Sequence, residues 1–119
     1  MLPPSKRKRH IPGYDTMLIT YSNNKVPIRL TIERWSHILY RHPEMANEKD
    51  KVIETLNSPE MIQKGDFSTL IAIKFYKNTP LTSKFLAVVY KESNKKDGFI
   101  LTSYFTNKPL ERRETIWKS

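Results

Sequence analysis

The chain predicts an α+β domain, and three observations carry that expectation. Residues 68–106 hold three β-rich segments, STLIAIKFYK, SKFLAVVYKE and GFILTSYFT, each separated from the next by turn-forming residues, which is the pattern of an antiparallel meander. Ahead of them, TIERWSHILYRH spaces its apolar residues as an amphipathic helix does, and a second such stretch follows over roughly Ala46 to Leu56. At 119 residues the chain can bury roughly two thirds of its unfolded surface, enough for one two-layer core.

In chain order, residues 1–14 carry three prolines, the run Lys6-Arg7-Lys8-Arg9 and Gly13, and read as a basic arm without regular structure; residues 15–119 form the domain. MLITY and VPIRL are short β-rich pieces joined by Ser22, Asn23, Asn24 and Lys25, a hairpin in which Pro27, lacking a donor, marks an edge strand or an extended lead into the helix. Thr31 is a suitable N-cap and Glu33 a first-turn carboxylate; Ile32, Trp35, Ile38 and Leu39 form the buried stripe, and Pro43 disfavours helical geometry at His42, so the helix stops there. Met45, Val52, Ile53 and Leu56 line the second helix, which Asn57, Ser58 and Pro59 end; Met61 and Ile62 make a short strand or packed loop. Thr115 to Lys118 adds a short edge strand.

Strict alternation divides the meander into two faces. One collects Ile71, Ile73, Phe75, Phe85, Ala87, Val89, Phe99, Leu101 and Phe105 with Ser103, and reads as core. The other begins apolar but carries Lys74, Tyr76, Lys84, Tyr90, Thr102, Tyr104 and Thr106, and is the face on which chemistry is expected.

Lysine and arginine number 21 against 12 aspartates and glutamates, a net charge of +9. That balance favours an anionic partner, nucleic acid before an anionic membrane surface, although removing the four charges of the arm leaves +5, ordinary for solubility. With no cysteine, thiolate metal sites and disulfides are excluded. MLPPSKRKRH lacks the apolar run of a secretory signal and nothing approaches the roughly 18 apolar residues of a membrane span, so a soluble cytoplasmic protein without membrane attachment is expected.

His37 and His42 are five apart, about 140° around a helix, so they do not share a face as metal ligands at i and i+4 would. Three glycines make no phosphate loop and no paired acidic cluster suits magnesium, so neither a metal nor a cofactor is expected. What remains is the inventory of a metal-independent ribonuclease. Attack by the RNA 2′-hydroxyl needs one group to take its proton, one to protonate the leaving 5′ oxygen, and cations or donors around the phosphorane. His42 or His37 suits the proton roles, Lys74 the phosphate, and Tyr76, Tyr104 and Thr102 the donor roles. Arg41, Lys84, Tyr90, Thr106, Arg112 and Arg113 extend the set as nucleic-acid contacts. Each has a structural alternative: a lone helical histidine commonly packs, and tyrosines at strand ends commonly sit at a rim. The expectation is that Lys74, His42 and the tyrosines converge on one open cleft.

The string IRLTIERWSHILYRHPEM, followed by IAIKFYK, KFLAVVYKE, DGFILTSYFT and IW, resembles the small stand-alone phage-type nuclease domains of the barnase/EndoU/colicin/RelE-like (BECR) superfamily over about residues 26–118. The resemblance implies two N-terminal helices packed on a four- to five-stranded antiparallel sheet, with an RNA-cleaving site on the open sheet. It also implies that the family's helix histidines fall on His37 and His42, its strand cation on Lys74, and its terminal-strand hydroxyls on Thr102, Tyr104 and Thr106. Many members are toxins, so the implied partners are RNA and an acidic antitoxin or immunity protein. A non-catalytic nucleic-acid-binding module, or a protein interaction or regulatory domain, remains open on the same residues.

Overall fold

A computed structural model describes residues 15–119; the predicted basic arm, residues 1–14, lies outside the described residues. A hairpin of β1 (Thr16–Tyr21) and β2 (Pro27–Thr31) runs directly into helix α1 (Ile32–Arg41). The Thr31 side chain caps α1 by accepting from the Arg34 N–H at 3.1 Å, and α1 stops at His42, the residue before Pro43. A 3₁₀ turn over Pro43–Met45 carries the chain to α2 (Lys49–Asn57), which starts three residues later than the pattern of apolar residues suggests because that turn intervenes. Then come β3 (Met61–Lys64), β4 (Leu70–Phe75), β5 (Phe85–Asn94), β6 (Asp97–Thr106) and β7 (Thr115–Lys118).

All seven strands join one sheet in the order β1-β2-β6-β5-β4-β3-β7. Two helices on a four- to five-stranded antiparallel sheet is therefore corrected in strand number, in direction and in order, since two strands precede the helices and β2 pairs parallel to β6. The β1–β2 hairpin docks on one flank of the meander through β6, and β3 with β7 on the other through β4. The parallel contact is confined to Ile28 opposite Gly98 and Arg29 opposite Phe99. Gly98 permits it: a Cβ there would press on the Lys91 carbonyl oxygen and stand 2.6 Å from Ile28 Cδ1. Arg29 closes the contact with two bonds to the Asp97 carboxylate, at 2.9 and 3.0 Å. The β1–β2 turn is tied to β5 in the same way, Ser22 Oγ donating to Glu92 Oε2 at 2.5 Å.

Both helices lie on one face. Trp35 and Ile38 of α1 and Val52 and Leu56 of α2 pack on Ile28, Leu30, Ala72, Leu86, Val88, Tyr90 and Ile100. That strand face is the one the sequence reserved for chemistry, and it is the core. The face of Ile71, Ile73 and Ala87, expected to be core, forms a second, smaller cluster with Met61, Phe85, Val89 and Tyr104, and no helical residue among the described residues joins it. Ile32, assigned to the buried stripe of α1, is exposed.

The expected faces are exchanged in β4, β5 and the start of β6 but hold after Leu101, because β6 is irregular there. Val89 pairs with Thr102 but Tyr90 pairs with Ile100, so Leu101 is an extra residue, a β-bulge that exchanges the faces of everything after it. Ser103 and Phe105 turn into the core, and Thr102, Tyr104 and Thr106 turn to the uncovered face opposite Val89, Ala87 and Phe85.

Replacing Gly98 by alanine should force β2 away from β6. A loss of about 1–3 kcal/mol of stability is expected from the overpacking, read as a lower urea midpoint by tryptophan fluorescence; an unchanged midpoint would show that the parallel contact is slack.

Candidate functional site

β2 touches β6 only at its first residues, so from Leu101 onward the flank of β6 has no strand partner on that side among the described residues, and α1 lies along it. Between them is a hollow of about 580 Å³, walled by Arg34, His37, Arg41 and His42 from α1 and its cap, and by Thr102 and Tyr104 from β6, with Ile38 and Leu101 as its apolar floor. Helix geometry explains the assembly. At about 100° per residue Arg34, His37 and Arg41 span only about 60° of the helix, along the flank next to the Trp35–Ile38–Leu39 stripe. The helix stop then brings His42 round at the end of that stripe, its N–H donating to the Ile38 carbonyl at 2.7 Å.

His42 is half-buried and its ring centroid lies 5.6 Å from that of Tyr104, tilted by 35°, with Glu44 Oε2 3.6 Å from Nδ1. His37 is more exposed and has Glu33 Oε2 3.8 Å from Nε2. The hollow thus holds two imidazoles, two guanidiniums, a threonine hydroxyl and a phenol, groups that together can bind a phosphodiester and move protons near neutral pH.

Two other hollows adjoin it. One of about 350 Å³ shares Arg34 and His37 and continues past Phe99 to Arg29. Another, about 470 Å³ on the uncovered sheet face, shares Leu101, Thr102 and Tyr104 and reaches Lys91, Phe99 and the β3–β4 turn. A fourth, about 320 Å³, shares Gly65, Asp66 and Arg113 with that one and adds Lys64 and Arg112.

Of the predicted site residues, His37, Arg41, His42, Thr102 and Tyr104 are brought together. Lys74 is not at this cleft: it stands on the helix-covered face at the end of β4, and its ammonium donates to the Ser58 carbonyl at 3.1 Å. Tyr76 fastens β4 to α2, its hydroxyl donating to Glu54 Oε1 at 3.0 Å and lying 3.1 Å from Thr55 Oγ1; burial pushes its pKa well up. Tyr90 is fully buried in the core, its hydroxyl without a partner among the described residues, and burial raises its pKa too. Lys84 lies just before β5, its carbonyl accepting from the Tyr76 N–H at 2.7 Å. Thr106 donates to the Lys108 carbonyl at 3.3 Å, and Arg112 and Arg113 lie at the fourth hollow, where Arg113 holds Asp66 by two bonds of 3.2 and 3.3 Å. The single cleft expected of Lys74, His42 and the tyrosines therefore resolves into a histidine, arginine and Tyr104 cleft with Lys74, Tyr76 and Tyr90 on the far side of the sheet.

Three residues of the cleft lie outside the predicted site set: Ile38 and Leu101, expected to be core, and Arg34, not singled out. Arg34 carries the signal of its seven-residue spacing from Arg41, two turns along one helix flank. Leu101 carries only the run Phe99-Ile100-Leu101, three consecutive apolar residues that alternation does not produce.

Among the described residues no three His, Cys, Asp or Glu side chains cluster to hold a metal ion, and no helix is long and apolar enough to cross a membrane. No family model, no curated protein and no solved structure matches the chain.

The Arg29–Asp97 pair, whose arginine lines the hollow past Phe99, gives a pH test. Hydrogen bonding to Arg29 holds the Asp97 carboxyl below its ordinary value. A depressed carboxylate pKa stabilises the fold fully above the unfolded value, about 4, and the contribution is lost as pH falls through the native value. Asp97→Asn should therefore lower the urea midpoint at pH 7, with the gap to the unsubstituted protein closing below about pH 4; a gap that persists there would assign the loss to packing.

Proposed function

We propose that this protein is a metal-independent endoribonuclease that cleaves RNA in the cleft between α1 and β6. The observation that supports this reading is the grouping of His37, His42, Arg34, Arg41, Thr102 and Tyr104 around one hollow with the two imidazoles on the same wall. The resemblance of the α1 string to phage-type nuclease domains and the net charge of +9 point the same way.

In this mechanism one imidazole takes the proton from the 2′-hydroxyl, whose oxygen attacks the adjacent phosphorus. The other imidazole protonates the departing 5′ oxygen, leaving a 2′,3′-cyclic phosphate on one product and a free 5′-hydroxyl on the other. Arg34 and Arg41 hold the non-bridging oxygens as negative charge grows on the phosphorane, and Thr102 donates a hydrogen bond. Tyr104, beside His42, limits the ring's freedom and offers a face to a base. The cationic rim also suits an acidic inhibitory protein, the partner of a toxin, covering the cleft.

The test is incubation of single-stranded RNA with the protein in excess EDTA. Cleavage with 2′,3′-cyclic phosphate ends is expected, with His42→Ala and Arg34→Ala each slowing it by about 10²- to 10⁴-fold at an unchanged melting temperature. Lys74→Ala, remote from the cleft, is the control and should cleave normally. Salt-dependent binding without product would leave a nucleic-acid-binding module, and cleavage untouched by His42→Ala would remove the mechanism.

A further inference from the structure

We propose that the β3–β4 turn and the uncovered sheet face beside it bind the unpaired nucleotides of a single-stranded RNA as it leaves the α1–β6 cleft. This deepens the ribonuclease reading and rests on it for the direction of the strand. The first support is continuity. The sheet-face hollow shares Leu101, Thr102 and Tyr104 with the cleft, and the hollow beyond it shares Gly65, Asp66 and Arg113 in turn, so the three form one track.

The second support is charge. Along the outer two hollows Lys64, Lys91, Arg112 and Arg113 stand against only Asp66 and Glu114, a surplus of cations where a sugar-phosphate chain would run. Arg113 is held in place by both oxygens of Asp66 rather than left to sample solvent.

The third is an aromatic presented at a cost. Phe67 is 91% exposed, the most exposed of the large apolar residues among the described residues, and its φ of 54° lies in the left-handed region that a bulky residue enters only with strain. Ser68 follows at φ 64°. The turn around them is closed by its own bonds: the Gly65 N–H donates to the Thr69 carbonyl at 2.9 Å, and the Thr69 N–H and hydroxyl both donate to the Asp66 carbonyl, at 3.1 and 2.7 Å. A ring held out over a cationic hollow, with Phe99 and Tyr104 also lining it, is the arrangement on which unpaired bases stack. A duplex has no free base faces to offer, so the substrate class is single-stranded.

The experiment is fluorescence anisotropy with a labelled single-stranded 12-nucleotide RNA carrying 2′-O-methyl groups throughout, which cannot be cleaved because the attacking hydroxyl is blocked. Phe67→Ala should weaken binding about tenfold and Phe67→Tyr should restore it, while a duplex of the same sequence binds both proteins alike. Lys91→Ala should reduce the slope of log affinity against log salt by about 1. Normal affinity in both Phe67→Ala and Lys91→Ala, an equal loss for duplex and single strand, or no binding by the unsubstituted protein overturns the track. Cleavage of unmodified RNA is scored separately. A protein that binds through Phe67 but yields no product keeps the track and loses the nuclease; one that cleaves with an indifferent Phe67 loses the track alone.

Discussion

The extra residue in β6 is the constraint on which the arrangement of the molecule depends. Without the bulge at Leu101, Thr102 and Tyr104 would continue the alternation begun by Gly98 and Ile100 and point to the helix-covered face. With it, they turn to the uncovered face and Tyr104 reaches His42. The exchange has a cost that the core displays: Ser103 now points inward, fully buried, with a hydroxyl that has no partner among the described residues. An unpaired buried hydroxyl costs about 1–3 kcal/mol. A fold that retains a serine there and an irregular strand beside it, where an unbroken ladder would be more stable, has placed side-chain direction above local stability.

What could be read from the sequence and what could not divides along the same line. The three strands of the meander and the end of α1 before Pro43 follow from local chemistry, β-branched runs, a threonine cap and a proline, and the structure has them at those places. The faces of β4, β5 and the start of β6 differ from expectation because both are apolar there and alternation does not say which one the helices cover; beyond the added residue at Leu101, Ser103 and Phe105 lie in the core as expected. The hairpin and the short strand at Thr115–Lys118 are legible as elements, but that all of them join one seven-stranded sheet is set by tertiary contact; that β2 should lie parallel to β6 depends on the missing Cβ of Gly98, which no local pattern announces.

Lys74 shows where a sound premise gave the wrong picture. A lysine in mid-strand on a helix-covered face does need a partner, and it has one, but the partner is the Ser58 carbonyl at the end of α2, reached by a long stem at the margin of the layer. The same holds for Tyr76, which ties α2 to β4. Lys74 and Tyr76, at the margin of the covered face, close the seam between α2 and the sheet. The polar residues of the uncovered flank, Arg34, Arg41 and Thr102, line a hollow.

Helix α1 is where stability and the proposed chemistry meet. Its Trp35 and Ile38 are buried against the sheet, and the residues that wall the cleft project from the adjoining flank of the same rigid rod. The width of the cleft is then set by how closely the helix packs on β2 and β6, and the position of His42 by where Pro43 ends the helix. A loop could carry the same side chains but would have to order them on each binding event, at an entropic cost of about 1–2 kcal/mol for each residue fixed. A short capped helix, docked through two large apolar side chains, has met that cost during folding, and so the imidazoles and guanidiniums of the proposed site are positioned without a ligand to order them.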